Sequence, residues 1–130
     1  MGGADLYSYV NVLTKAADAS WLRNEVISNN LANVSTPTYK RSDVDFERVL
    51  KNEIGRSRYE TMDQKIKKVS LTNLSNVHAY VDDAAFSYRL DGNNVDEDTE
   101  NTELAANQIK YQGLTDSIKH HFTQIKAVIK

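Results

Sequence analysis

Ser28-Asn29-Asn30-Leu31-Ala32-Asn33-Val34-Ser35-Thr36-Pro37-Thr38-Tyr39-Lys40-Arg41-Ser42-Asp43-Val44-Asp45-Phe46 is where a long helix has to stop and extended chain begins. It contains the single proline of the 130-residue chain. Pro37 has no N–H to donate and pushes Thr36 towards extended geometry, so a helix running into it must end beforehand. Asparagines suit that exit, because Asn competes for backbone hydrogen bonds and tolerates left-handed conformation.

Upstream, Leu6, Val10, Leu13, Ala17, Ser20, Asn24, Ile27 and Leu31 alternate four and three apart, the narrow stripe of a coiled coil rather than a broad core-facing surface. This predicts a helix over 5–33 with Asp5 as N-cap, on the order of 43 Å long at about 1.5 Å per residue. Downstream, Leu104, Gln108, Tyr111, Thr115, Ile118, Phe122, Ile125 and Ile129 repeat the spacing within 96–130. Asp96 suits its N-cap, Glu97, Asp98 and Glu100 its positive end, and Lys126 and Lys130 its negative end. The expected fold is mainly α, a single domain with the terminal helices in an antiparallel, coiled-coil-like pair. One register sets Leu6 near Ile129, Leu13 near Phe122, Leu31 near Leu104, and polar Ser20 against polar Thr115, since polar seam residues specify register.

The intervening 34–95 should hold an extended segment, a short helix over 44–54 ended by Gly55, and a charged, exposed loop over 56–68. Val77, Ala79 and Val81, then Phe86, Tyr88 and Leu90, alternate with single residues, which predicts a small hairpin turning at 82–85.

Sixteen basic and 18 acidic residues leave a net charge of -2, which gives no field favouring nucleic acid or anionic membrane. There is no cysteine, so disulfides, thiolate metal sites and a Cys nucleophile are excluded. No run approaches membrane-spanning length, so no direct membrane insertion is expected, and no apolar signal-peptide core is present. Asp91 and Asn93 suit the first and third places of a calcium loop, but Val95, Asp96 and Thr102 do not suit the fifth, sixth and twelfth. His120 and His121 point about 100° apart on a helix and read as solvated surface residues; His78 has no partner spacing. No nucleotide fingerprint or nucleophile elbow is present. Neither a cofactor nor an enzymatic activity is expected.

Asn30-Leu31-Ala32-Asn33, Thr36-Pro37 with Tyr39-Lys40, and Asp43-Val44-Asp45-Phe46 resemble the N-terminal motif of the bacterial flagellar basal-body rod protein family. The Asp-Phe ending and the short chain are most similar to its proximal rod subunits. A second block, Tyr88-Arg89-Leu90-Asp91-Gly92-Asn93-Asn94-Val95-Asp96 followed by Asn107-Gln108-Ile109-Lys110-Tyr111-Gln112, is similar to that family's C-terminal region. Thr38 stands where the family usually carries Gly, the residue that permits positive φ.

The resemblance implies a structural rod subunit that polymerises through its terminal helices to transmit torque. It would reach the basal body across the inner membrane without a cleaved signal peptide. Other rod subunits and self-copies, with membrane-ring and export-gate-adjacent proteins, are the implied partners. Carried over as assembly residues are Asn30, Asn33, Thr36, Pro37, Tyr39, Phe46, Asp91, Gly92, Asn93, Asn94, Tyr111 and Gln112. The seam positions Leu6, Val10, Leu13, Ile27, Leu31, Leu104, Ile118, Phe122 and Ile125 join them. Beside the seams run second apolar stripes, Tyr9, Val12, Ala16 and Val26 on one helix and Ile109, Leu114, Ala127 and Val128 on the other, which ask for partners outside the pair. The alternative is a soluble helical adaptor that binds one partner helix without polymerising.

Overall fold

In the computed structural model, which describes residues 6–55, 59–71, 78–82 and 89–129, two long helices run side by side. They are α1 (Leu6–Ala32) and α4 (Glu97–Ile129). Tyr9 meets His121, Ser20 meets Asn107 and Asn30 meets Glu100, so the pair is antiparallel. Between them in sequence lie β1 (Ser42–Asp43), α2 (Phe46–Gly55), α3 (Met62–Leu71) and β2 (Tyr80–Val81).

The ends of these helices follow from their residues. Asp96 accepts from the backbone N–H of Asp98 at 3.1 Å and from the Thr99 hydroxyl at 3.0 Å, which starts α4 as a capped helix with three acids in its first turn. At the far end of α1, Asn33 N–H still reaches the carbonyls of Asn29 and Asn30 at 3.1 Å, and Thr36 N–H closes a turn on Asn33 O at 3.0 Å. Asp45 caps α2 by accepting from Arg48 N–H at 3.0 Å. The expected Asp5 cap and Lys130 fall outside the described residues.

The pairing of the long helices differs from the expected register. Ser20 faces Asn107, not Thr115: its hydroxyl donates to Asn107 Oδ1 at 3.0 Å, and Asn107 Nδ2 donates to Ser20 O at 2.8 Å. The covered line on α4 runs Glu100, Leu104, Asn107, Tyr111, Leu114, Ile118, His121, Ile125. Leu104, Tyr111, Ile118 and Ile125 were expected there, but the alternate positions lie one residue earlier. Phe122 is consequently 48% exposed, while His121 is half-buried beside Tyr9 rather than on the solvated surface. Two buried polar residues able to exchange hydrogen bonds outweigh the apolar gain of turning Phe122 inward.

A further expectation fails. The charged 56–68 stretch is in its later part the start of a helix: Thr61 N–H donates to Gln64 Oε1 at 3.1 Å and Gln64 N–H to Thr61 Oγ1 at 3.3 Å, a reciprocal capping box that opens α3. Ile66 and Val69 of α3 close on Val12, with Tyr9, Leu50 and Ile54 around them. The stripe of Tyr9 and Val12, expected to face outside partners, is thus covered within the chain, and Val26 is buried as well. Of the expected hairpin, the described part is a strand. Tyr80 and Val81 pair antiparallel with Asp43 and Ser42, and Asp82 N–H extends the ladder to Arg41 O at 2.8 Å. Val77, Phe86 and Tyr88 lie outside the described residues, and Leu90 stands in an exposed turn. Joining the extended chain after Pro37, which is itself held on α1, gives this two-residue strand the packing that a lone pair of strands needs.

Candidate functional site: a clasp between two sequence blocks

The residues after α1 and those before α4 close on each other. Asn30, with no exposed surface, uses its whole amide: Nδ2 donates to Ser42 O at 2.8 Å and Glu100 Oε2 at 3.1 Å, while Oδ1 accepts from Ser42 N–H at 3.0 Å and the Tyr39 hydroxyl at 3.2 Å. It is a bolt between helix end, extended segment and α4. Asn93, equally buried, donates to the carbonyls of Asn33 at 2.8 Å, Val34 at 3.2 Å and Thr36 at 2.8 Å, and accepts from Val95 N–H at 2.7 Å. One side chain thereby gathers three carbonyls of the turn that follows α1. Arg89 adds a second donor to Val34 O and pairs with Asp91 at 3.0 Å. Asn94 accepts from Arg41 N–H at 2.7 Å and donates to Asp82 O at 2.9 Å.

Thr38 sits at φ 63°, so the chain takes here the left-handed conformation that the family's glycine would allow. Its N–H donates to Asp91 O at 2.8 Å. Gly92, at φ 78°, lies against it.

An ion-pair network ties the clasp to both long helices. Glu100 is 1% exposed and accepts from Arg41 Nε at 2.5 Å, meeting the requirement that a buried carboxylate be paired. Arg41 also reaches Asp82 at 2.6 Å and Asp43 at 3.2 Å, and Arg23 bridges Asp43 and Glu103, each at 2.8 Å. Burial works against the Arg41 charge, but Glu100 and Asp82 overcome it and raise its pKa. Burial likewise pushes the Asp43 carboxyl up, yet Arg23 and the Val44 N–H hold it below the ordinary carboxylate range. Sequence reasoning passed over Arg23, Arg41, Arg89 and the pairing role of Glu100. Apart from Arg41 with Asp43 and Arg89 with Asp91, their partners lie 20 to 80 residues away, and no local spacing signals such a network.

Of the expected assembly residues, the structure buries Ile27, Asn30, Phe46, Asn93, Asn94 and Ile125. Leu6, Val10, Leu13, Leu31, Asn33, Tyr39, Asp91, Gly92, Leu104, Tyr111 and Ile118 are half-buried, whereas Thr36, Pro37, Gln112 and Phe122 are exposed. The motif residues chiefly join the two blocks of one chain. Open apolar surface lies on the long helices, at Trp21, Ile109, Phe122, Val128 and Ile129, and in the middle segment at Met62, Leu71, Val81 and Leu90. Among the described residues no helix is long and apolar enough to cross a membrane, and no group of three or more His, Asp or Glu could hold a metal ion.

Comparison with known proteins matches residues 11–40 to the model of the flagella basal body rod protein family. The chain is similar to flagellar basal body rod protein FlgB of Bacillus subtilis, 37% identical over 117 residues that cover 90% of this chain and 89% of that protein. FlgB of Borrelia hermsii is 34% identical over 93% of this chain and 95% of its own length. FlgB of Salmonella typhimurium is 39% identical over 72% of each.

Proposed function

The chain belongs to the flagella basal body rod proteins, and on that footing we propose that it is a structural subunit of the proximal rod, built into a tube by its long helices. The observation that carries this reading is the bare outer surface of α4. Among the described elements α4 packs chiefly on α1, with an ion pair from Lys110 to Glu47 of α2, and Ile109, Val128 and Ile129 are each more than 70% exposed. A helix of 33 residues with one covered seam and further apolar residues outside it draws stability from additional packing. The clasp supports the same role. It fixes how α1 and α4 sit relative to the middle segment, so that load on one helix passes to the rest through paired charges and buried amides.

Other rod subunits and copies of this chain are the neighbours such a surface suits, with membrane-ring and export-gate proteins where the rod begins. Export unfolded through the flagellum's own channel, without a cleaved signal, fits a molecule whose long helices gain much of their order from packing.

Sedimentation velocity at rising concentration, with electron microscopy of the same samples, tests the reading. The protein should grow into elongated oligomers. Ile109→Lys with Val128→Lys should suppress growth and leave the melting temperature nearly unchanged, because both side chains are already solvated in the monomer. A compact monomer at every concentration would instead identify a helical adaptor.

A further inference from the structure

β2 is the outer strand of the small sheet. Asp82 N–H turns inwards to Arg41 O at 2.8 Å, and Asp82 O accepts from Asn94 Nδ2 at 2.9 Å. By the alternation of an antiparallel strand, Tyr80 also bonds inwards, while Ala79 and Val81 turn their N–H and C=O outwards. That outer edge has no partner among the described residues. His78, Ala79, Tyr80 and Val81 are all exposed, Val81 at 54%, and neither a proline nor a lysine blunts the run. An open edge of this kind takes up another extended chain.

The order of residues says which chain fits, because His78-Ala79-Tyr80-Val81-Asp82 is its own complement about Tyr80. Laid antiparallel on a second copy, Ala79 of each chain stands opposite Val81 of the other, and each of these two pairs exchanges two backbone hydrogen bonds. Tyr80 meets Tyr80 in the closer, non-hydrogen-bonded position, where aromatic pairs stabilise a sheet. His78 comes opposite Asp82, which keeps its ion pair with Arg41 at 2.6 Å, so like charges nowhere face each other. A register shifted by two residues would set Tyr80 against Asp82 and lose both matches.

We propose that two copies of this chain pair through β2, antiparallel about Tyr80, into a four-stranded sheet. The contact is two-fold and closes, so it belongs to the chain outside a head-to-tail rod, where it covers an edge open to aggregation. It goes beyond the rod-subunit reading and uses none of the α4 surface on which that reading stands.

The full chain carrying Ile109→Lys and Val128→Lys, which weaken growth through α4, isolates the contact, and sedimentation equilibrium should show it passing from monomer to dimer. Val81→Pro removes one outward N–H from each copy and leaves the inward bonds of Tyr80 and Asp82 in place. The dimer dissociation constant should then rise about thirtyfold, the loss of two of the four hydrogen bonds, with circular dichroism unchanged. With no native cysteine, Tyr80→Cys should give a disulfide-linked dimer in air, because the two-fold axis passes through that position. Val81→Cys should stay reduced, since its two copies stand two residues out of register. A monomer at every concentration, a Val81→Pro chain that dimerises like its parent, or equal cross-linking from positions 80 and 81 would overturn the pairing and leave the rod reading standing. An unsubstituted chain that stops at the dimer would overturn the rod reading and leave the pairing standing.

Discussion

At Thr38 the chain holds a β-branched residue at φ 63°, a conformation that costs about 1–2 kcal/mol for a residue with a Cβ. It is held there by its N–H on Asp91 O and by Asn93 and Arg89 on the carbonyls just before it. Thr38→Gly removes that penalty but adds backbone freedom to the unfolded chain, which costs about 0.5–1 kcal/mol. The net expectation is a gain of up to about 1 kcal/mol, read as a higher melting temperature, and a lower one would show that the Thr38 side chain stabilises the turn. The stop itself was legible in Asn33, Pro37 and the asparagines. What closes over it was not, because Asn93 is 60 residues from Asn33 in sequence and an isolated asparagine gives no indication of its partner.

Elements were legible where their local chemistry is self-contained. Asp96 and the acids behind it marked the start of α4, and Gly55 the end of α2. Thr61-Met62-Asp63-Gln64 carried a capping-box signal for α3 as well, masked by the lysines that follow. The heptads marked the two long helices, and a chain that goes out and returns favoured the antiparallel sense, but neither set their phase. Leu104 and Ile118 suit either seam, and the deciding pair, Ser20 with Asn107, is polar on both sides. With no native cysteine, Ser20→Cys with Asn107→Cys should form a disulfide in air. Ser20→Cys with Thr115→Cys should stay reduced, since eight residues along α4 is about 12 Å; the opposite result would restore the apolar register. The ion-pair network makes a second prediction at this scale. Asp43 has its pKa lowered by the fold, so its contribution to stability is present above the ordinary aspartate value of about 4 and is lost as pH falls through the folded value. Asp43→Asn should therefore cost about 2 kcal/mol at neutral pH. Urea midpoints measured from pH 7 to pH 3 should show the two proteins converging on the acid side, and a constant gap would remove Asp43 from the acid response.

At the scale of the whole molecule, α2, α3 and the small sheet cover one side of α1, while α4 has most of its outer surface bare. The two motif blocks spend their asparagines and arginines on holding that arrangement, which leaves the apolar residues of the long helices for neighbours. The family could be read from the motif words, but the division of labour between them could not, since a motif residue looks the same in sequence whether it faces inward or outward. The most direct measurement is cross-link mapping on basal bodies purified with a tagged copy of this chain. The account predicts that the chain co-purifies with the basal body and that Lys119 and Lys126 on the outer part of α4 link to other rod subunits or other copies. Recovery of the chain only in the soluble fraction, with α4 linked to nothing but its own α1, would contradict it.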